Sequence, residues 1–356
     1  IQTGARDETP DLAGVSHFVE HMCFKGTSKR TWQQITGEFD DMGSTYNAYT
    51  SRERTFYFGW VRIEDLERQI ELIADMMRSI MPPDEYETEK KVILEEIAMS
   101  EDQIDSRIYE LLHEKIYDGH SLRWPVLGTT ETVGAMPRQR LYDYFQDRYQ
   151  PANMILLVAG AVDPQAVIAM ARRICGDWPS RAPRPPRAEA PRVKTGRASI
   201  TTDRFSQQGV ALAYPAPGAM GPDRETADVL AAILGGSNSR FFWQIVQTGV
   251  APQVAAGRLD YCESGMMLAY GFCEPQRVED LLEAMRVEIA KIQRDGVTDD
   301  EVSRVKNRTR TTLATESEAP YYRLMQLVGD VDVLGRPRTV TERLAEGNEI
   351  LGPEEG

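Results

Sequence analysis

Apolar positions recur along the first half of the chain with two periods, one typical of helices and one typical of strands. Apolar residues three and four apart predict helices at 31–42, 63–80, 84–102 and 164–174. Residues rich in Tyr, Thr and Phe predict two strands at 44–61 that join near Ser51, and an uninterrupted apolar run predicts a buried strand at 154–162. The first half is therefore predicted to mix helices with strands.

A similar order of elements returns in the second half. The pattern there predicts strands near 197–201, 207–214 and 252–272, and helices at 223–234, at 276–294 and from 298 onward. Between the halves, 179–194 holds five prolines and four arginines, which is typical of an extended linker. We interpret the chain as an α+β protein of two homologous domains, at 1–178 and 195–356, that arose by duplication.

The composition is that of a soluble globular protein. Of the 356 residues, 41% are hydrophobic and 27% are charged, and the longest apolar run is too short to cross a bilayer. The net charge of −14 argues against nucleic acid as a partner. Such a charge also attracts basic peptides, although many acidic proteins carry their charge for solubility alone. We therefore expect no membrane span and no nucleic-acid ligand.

The cysteines and the chain ends bear on the compartment. The cysteines form no C-x-x-C pair and stand at Cys23, Cys175, Cys262 and Cys273. This scatter indicates reduced thiols, so we favour a cytoplasmic location over the periplasm or the mitochondrial matrix. The first and last residues resemble interrupted elements, and we expect the full protein to extend beyond both.

The candidate chemistry lies at 17–21, where His17 and His21 stand four residues apart with Glu20 between them. On a helix both imidazoles can reach one metal ion, and Glu20 shares their face. The opposite stripe is apolar and consists of Val15, Phe18, Val19 and Met22. The pattern is H-x-x-E-H, the inverted form of a zinc-peptidase signature, although two surface histidines on an amphipathic helix would give the same spacing.

A catalytic zinc ion usually takes three protein ligands and leaves one position to water, so a third ligand must come from elsewhere. The predicted helix at 84–102 offers Glu89, Glu95 and Glu96. Glu89 and Glu96 share a face two turns apart, whereas Glu95 lies about 100° around the helix from Glu96. An acidic helix face is also typical of plain solvent exposure. The spacing alone leaves the third ligand open among the three glutamates.

Such a site predicts hydrolysis of peptide bonds. Zinc lowers the pKa of a bound water to about 7, which makes hydroxide available at neutral pH. Glu20 is predicted to accept the proton of that water and return it to the leaving amine. The strand at 44–49, which includes Asn47 and Ala48, is a candidate edge for pairing with an extended peptide, and an internal strand is an equally consistent interpretation.

Four segments resemble, in order, the pitrilysin family of inverted-motif zinc peptidases, and especially the branch of the mitochondrial processing peptidase and its bacterial relatives. They are LAGVSHFVEHMCFKGT at 12–27, NAYTSRE at 47–53, VILEEI at 92–97 and LGGSNSRF at 234–241. The resemblance implies two similar α+β domains, each an antiparallel sheet with helices packed on it, arranged as a clam shell. It implies a protein that binds Zn²⁺ and cleaves extended or unfolded peptides.

The resemblance also implies roles for single residues. His17, His21 and Glu96 match the zinc ligands, and the 75-residue separation of Glu96 from His21 is similar to that of the family. Glu20 matches the general base. Glu89 matches a glutamate that orients a ligand from behind. The substrate-binding edge is matched by Asn47 and Ala48.

The resemblance is incomplete in the second half. Active relatives hold the substrate carbonyl with an arginine and, a few residues later, a tyrosine. Arg240 matches the arginine, whereas Pro252 stands where the tyrosine is expected. The loss of such a donor can cost orders of magnitude in rate. Three interpretations stay open: the zinc-bearing half of a heterodimer, a self-sufficient peptidase, or a non-catalytic scaffold subunit. We expect a homo- or heterodimer with a similar chain.

Overall fold

The computed structural model describes residues 1–179, 190–343 and 345. The chain divides into two compact units, the first made of Ile1–Glu101 and His113–Glu189, the second of Asp102–Leu112 and Ala190–Gly356. The sequence assigned 102–112 to the first domain, but this stretch belongs to the second unit. Its Ile108 side chain packs so closely on Gly209 that an added Cβ would stand 1.9 Å away. Part of the predicted linker, 180–189, lies outside the described residues, so its boundaries stay predictions.

The first unit contains a hairpin and helices, and the predicted helices and hairpin of this half are present with ends shifted by a few residues. The helices are α1 Val15–Cys23, α2 Trp32–Asp41, α3 Leu66–Met76, α4 Pro83–Glu101, α5 Ile104–Ile116 (shared with the second unit), α6 Thr130–Ala135, α7 Arg138–Arg148 and α8 Pro164–Cys175. The strands are β1 Thr45–Thr50 and β2 Thr55–Trp60.

Helix α1 packs on the core of the first unit through its predicted apolar stripe. The side chains of Val15, Phe18, Val19 and Met22 are fully buried. The Phe18 ring stacks on Tyr86 of α4, with ring centroids 4.9 Å apart. Burying a side chain of this size contributes about 1.5–3 kcal/mol. The stripe therefore fixes the rotation of α1 about its axis and places the histidine face on the opposite side.

Strands β1 and β2 pair antiparallel, with Thr45 opposite Trp60 and Thr50 opposite Thr55. Side chains of β1 alternate between exposed and partly buried, and the partly buried Tyr46 stacks on Phe39 of α2 at 3.9 Å between centroids. Among the described residues, β2 is the only strand that pairs with β1. Strand β1 is thus an edge strand here, not an internal one.

Two predicted strands do not form ladders. The run at 154–162 has no regular secondary structure and pairs with no strand among the described residues, and its Ile155 and Leu156 are 43% and 50% exposed. The stretch at 197–201 is likewise irregular, with Ile200 exposed. The prediction of strands at both places, and of burial at 154–162, was wrong because an apolar run shows only that a segment could be a strand. A ladder also requires a neighbour that accepts its backbone hydrogen bonds.

The second unit is built on an antiparallel sheet with strand order β3-β5-β4. The strands are β3 Gln208–Ala216, β4 Gln253–Asp260 and β5 Gly265–Cys273, which match the predictions at 207–214 and 252–272. The helices are α9 Arg224–Gly235, a π-helical turn at Phe242–Val246, α10 Val278–Asp295, α11 Asp299–Ser317 and α12 Pro320–Leu334. Helix α9 lies directly on β4, since a Cβ on Gly235 would stand 1.9 Å from the backbone nitrogen of Ala256.

Each unit combines an antiparallel sheet with helices, so the predicted α+β class is confirmed. The core of the first unit includes both α1 and α4, and that of the second includes the buried Leu281 and Met285 of α10. None of the described helices is long and apolar enough to cross a membrane. The clam-shell arrangement stays a prediction.

Candidate metal centre

Helix α1 begins at a turn that requires glycine. Gly14 has a φ of 93°, in the left-handed region, and a Cβ there would stand 2.7 Å from the carbonyl oxygen of Leu127. The N–H groups of Gly14 and Ser16 donate to the two carboxylate oxygens of Glu8, each at 2.8 Å. Glu8 thereby satisfies donors that the start of a helix leaves unpaired. These contacts fix the first turn of α1, on which His17 lies.

Three side chains converge beside α1. His17 Nε2 lies 3.6 Å from Glu96 Oε2, and His21 Nε2 lies 3.7 Å from the same oxygen. One potential ligand atom from each residue lies within 4.8 Å of the other two. Ligands of a tetrahedral zinc ion stand about 2.0–2.1 Å from the metal and therefore about 3.3–3.5 Å apart. The observed separations exceed this by a few tenths of an ångström, so the three residues fit one zinc ion.

His17 is suited to be a neutral ligand. Burial, helped by the neighbouring His21, lowers the pKa of His17 to about 3, so its ring carries no proton charge at neutral pH. The rings of His17 and His21 lie edge to face, with centroids 4.6 Å apart. Within the described part of the chain, the buried Nδ1 of His17 has no hydrogen-bond partner. The other nitrogen, Nε2, is the one that approaches Glu96.

His21 is held from behind by Glu89. The Nδ1 of His21 lies 3.0 Å from Glu89 Oε2, while Lys25 Nζ lies 2.6 Å from the other carboxylate oxygen. Burial raises the pKa of Glu89, but hydrogen bonds from His21 and Lys25 outweigh it, so the net pKa is lowered. Burial lowers the pKa of His21, and Glu89, Glu96 and Glu20 together raise it above its usual value. An ionised Glu89 therefore orients His21 with Nε2 toward Glu96.

Glu20 lies on the same helix and is almost completely shielded from solvent. Its residue is only 8% exposed, and burial raises the pKa of Glu20 against the lowering effect of a hydrogen bond from Thr50. The Thr50 hydroxyl donates to Glu20 Oε2 at 2.6 Å. A carboxylate with a raised pKa is better matched to proton transfer near neutral pH than an exposed one.

The structure selects among the three glutamates that the sequence left open. Glu96 approaches both histidines, Glu89 contacts the far side of His21, and Glu95 is exposed and outside the cluster. Among the described residues, no other group of three histidines, cysteines or carboxylates could hold a metal ion. The assignment of His17, His21 and Glu96 as ligands stays a proposal that this geometry supports.

The predicted substrate residues Asn47 and Ala48 lie on β1, with Asn47 exposed. The N–H of Ala48 donates to Asn47 Oδ1 at 2.8 Å. A peptide that pairs with this N–H must first displace the Asn47 side chain. Their role in substrate binding stays a prediction.

Arg240 lies in the second unit in a two-pronged ion pair. Its Nε and one terminal nitrogen donate to the two oxygens of Glu301 at 2.6 and 2.8 Å, and the same terminal nitrogen contacts the Gly296 carbonyl at 3.2 Å. This pairing lowers the pKa of Glu301, in the first turn of α11, to about 2. The contacts give Arg240 a structural role at the start of α11, and a role on the substrate carbonyl stays a prediction.

Sequence reasoning did not find Glu8, Lys25 and Thr50. Lys25 follows His21 by four residues, so helical spacing could have pointed to it. Glu8 precedes the helix by too many residues to match a capping box. Thr50 is one of several threonines near the hairpin, and nothing in the pattern singles out its contact with Glu20. Only the fold brings Glu8 and Thr50 to α1.

Comparisons with known families cover most of the chain. Residues 1–130 match the family described as Insulinase (Peptidase family M16). Residues 135–309 match the family described as Peptidase M16 inactive domain. The candidate metal centre lies in the part that matches the first description.

Individual relatives extend these matches. The chain is 34% identical to an uncharacterized zinc protease of Mycobacterium leprae, over 87% of this chain and 71% of the relative. It is 32% identical to the uncharacterized zinc protease YmxG of Bacillus subtilis, over 98% of this chain and 86% of the relative.

Solved structures share the fold. A protease from Helicobacter pylori superposes with a TM-score of 0.88 at 21% identity, over 98% of this chain and 89% of that one. The periplasmic protease PqqL of Escherichia coli superposes with a TM-score of 0.77 at 20% identity, over 98% of this chain and 41% of that one.

Proposed function

The chain belongs to peptidase family M16, the pitrilysin or insulinase family, and from this membership we propose that it is a zinc-dependent metalloendopeptidase that cleaves extended or unfolded peptides. The observation that carries the proposal is the convergence of His17, His21 and Glu96 within 4.8 Å, with Glu20 beside them. Membership in the branch of the mitochondrial processing peptidase stays a prediction.

The donor set suits the metal. His17, His21 and Glu96 would hold Zn²⁺ through two imidazole nitrogens and one carboxylate oxygen, a set that zinc commonly takes in peptidases. When bound in such a site, zinc polarises the substrate carbonyl and lowers the pKa of a coordinated water to about 7. Burial keeps His17 neutral, and Glu89 turns His21 so that each ring presents Nε2. The protein thus supplies preoriented ligands at low reorganisation cost.

Glu20 is the proposed general base. Its carboxylate takes a proton from the attacking water as the water oxygen bonds to the carbonyl carbon. It then gives this proton to the amide nitrogen as the C–N bond breaks, so one side chain serves both steps. The burial that raises its pKa favours a group that can both accept and release a proton near neutral pH.

Strand β1 is the proposed substrate platform. Its second edge, which pairs with no described strand, can add an extended peptide as a further strand, with Asn47 and Ala48 at the contact. Pairing through the backbone depends little on the side chains of the peptide. This suits a peptidase that acts on unfolded segments of varied sequence. Arg240 is a weaker candidate for this platform because its donors bind Glu301.

We further propose that the chain works as a dimer with a similar chain, which supplies the carbonyl donor absent at Pro252. A non-catalytic scaffold subunit of the same fold is the alternative function. It is favoured by Pro252 and by the engagement of Arg240, and it is opposed by the complete histidine and glutamate set.

Zinc content and peptide cleavage by Glu20→Gln, Glu89→Gln and the wild type test the enzyme proposal. We expect about one zinc ion per wild-type chain. Glu20→Gln should keep the metal and lose at least about 100-fold in cleavage, because general-base catalysis contributes roughly 10²–10⁴-fold. Glu89→Gln should lose more turnover than zinc affinity, whereas loss of the metal would make Glu89 a ligand.

The exposed Glu95 offers a matched control on the same helix. Glu95→Gln should retain both zinc and cleavage. A wild type without zinc and without cleavage would exclude the peptidase and leave the scaffold alternative, and cleavage by Glu20→Gln at the wild-type rate would exclude Glu20 as the general base.

A further inference from the structure

Thr50 joins the substrate strand to the proposed base. It is the last residue of β1, and the alternation of that strand turns its side chain toward the partly buried face. From there its hydroxyl donates to Glu20 Oε2 at 2.6 Å. A hydrogen bond to a charged oxygen is shorter and about twice as strong as one between neutral groups.

The surrounding threonines fix the direction of this hydrogen bond. Thr55 stands opposite Thr50 in the hairpin, and its hydroxyl donates to the Thr3 carbonyl at 3.0 Å. Thr55 therefore has no proton left to give Thr50, whose oxygen lies 3.5 Å away at the limit of a hydrogen bond. The single proton of Thr50 goes to Glu20 at the much shorter distance.

The hydrogen bond from Thr50 orients the Glu20 carboxylate, which as a general base must point at a single water molecule. The Glu20 side chain has several rotatable bonds, and α1 fixes only its backbone. A hydrogen bond at Oε2 restricts the rotation of the carboxylate. The donor belongs to the strand whose residues Asn47 and Ala48 are the proposed substrate contacts. Peptide binding along β1 and orientation of the base thus depend on one element.

We propose that Thr50 is a positioning residue that holds Glu20 in its working orientation and links it to the substrate strand β1. This inference rests on the proposed function. Thr50 acts through its hydrogen bond to Glu20 and is not among the proposed zinc ligands, so its loss should slow the chemical step and leave metal and substrate binding in place.

Two substitutions separate the hydroxyl from the shape of the side chain. Thr50→Val keeps the branched shape and the strand preference but removes the donor. Thr50→Ser keeps the donor and removes a methyl group. Thr312→Val is the matched control, because Thr312 is exposed on α11 in the second unit and belongs to neither the proposed site nor the substrate strand.

The assay uses the internally quenched peptide that the wild type cleaves fastest from a mixed-sequence panel. Thr50→Val should lower kcat by about 10- to 100-fold with KM within about twofold, since misplacing a catalytic group by an ångström costs on this order. Its zinc content should equal that of the wild type. Thr50→Ser should recover to within about threefold of the wild-type kcat, and Thr312→Val should stay at the wild-type kcat.

A kcat for Thr50→Val equal to that of the wild type would overturn the inference, and so would a loss that Thr50→Ser does not recover. If the wild type cleaves no peptide, the proposed function fails instead. Crystal structures of the zinc-loaded wild type and Thr50→Val then decide the inference by themselves. A displaced Glu20 carboxylate in the variant supports it, and an unmoved one refutes it.

Discussion

Lys25 contacts one oxygen of Glu89 while His21 contacts the other, so this buried carboxylate serves two partners. The lysine charge helps to keep Glu89 ionised in a site that burial would otherwise neutralise. An ionised Glu89 accepts the Nδ1 proton of His21 and leaves Nε2 as the metal-binding atom. Glu89 and Lys25 together therefore set which ring nitrogen His21 offers to a metal ion, although neither is a proposed ligand.

Glu8 gives a prediction at the same scale. It is buried, and this burial raises its pKa to about 7 despite the N–H groups of Ser16 and Gly14. The folded-state pKa lies above the ordinary value of 4.5, so the unfolded state loses its proton first as the pH rises. Glu8 should therefore reduce the free energy of unfolding by about 3 kcal/mol between pH 4.5 and 7, with no further change above 7.

Urea unfolding at pH 5, 6, 7 and 8 measures this effect in the wild type and in Glu8→Gln. The free energy of unfolding of Glu8→Gln should not show this decline with rising pH. The wild type should therefore be most stable, relative to the variant, at pH 5. Glu64→Gln, at an exposed glutamate of the same unit, should keep the wild-type profile. Parallel profiles for the wild type and Glu8→Gln would contradict the prediction.

Among the elements, α1 depends on the turn at its start. The left-handed backbone of Gly14 and its contact with the Leu127 carbonyl leave no room for a side chain. Gly14→Ala should lower the free energy of unfolding by at least about 2 kcal/mol, because strain and a backbone clash act together. It should also lower zinc affinity, since the displaced turn carries His17.

A second glycine provides the control for that substitution. Gly37 lies inside α2 with nothing within 4 Å of an added Cβ. Gly37→Ala should raise the free energy of unfolding by about 0.5–1 kcal/mol, as alanine does in an open helix interior. Thermal unfolding followed by circular dichroism compares the two variants. Equal effects of the two substitutions would show that the turn at Gly14 is not strained.

Helices were easier to predict than strands for a physical reason. The apolar repeat of a helix lies within a single segment of the chain. The buried face of α1 could therefore be predicted from the spacing of Val15, Phe18, Val19 and Met22 alone. A strand depends on a partner elsewhere in the chain. The β1–β2 hairpin was predictable because its partner is adjacent, whereas 154–162 is equally apolar and forms no ladder with the described residues.

At the scale of the whole molecule, all chemistry that uses histidine falls in one half. The chain has four histidines, all before residue 121, and the second half matches the description of an inactive domain. This asymmetry agrees with the predicted origin of the two domains by duplication, which stays a prediction.

The dimer proposal gives a prediction at this scale. Light scattering of the purified protein should give the mass of two chains, alone or with a similar chain that lacks H-x-x-E-H and carries an arginine–tyrosine pair. Adding that chain should raise cleavage by at least about tenfold, because one missing carbonyl donor costs roughly 10²–10³-fold. A monomer whose cleavage does not respond to any such chain would exclude the proposed dimer.

The sequence alone determined the H-x-x-E-H motif, the face that α1 buries, the α+β class and the confinement of histidines to one half, since these follow from local spacing and residue type. Tertiary structure decided which glutamate meets the histidines, because Glu89, Glu95 and Glu96 differ only in how α4 packs against α1. It also decided that Glu8, a few residues before α1, and Thr50, on β1, make their contacts with α1. Contacts between distant segments depend on packing in three dimensions, and no local pattern encodes them.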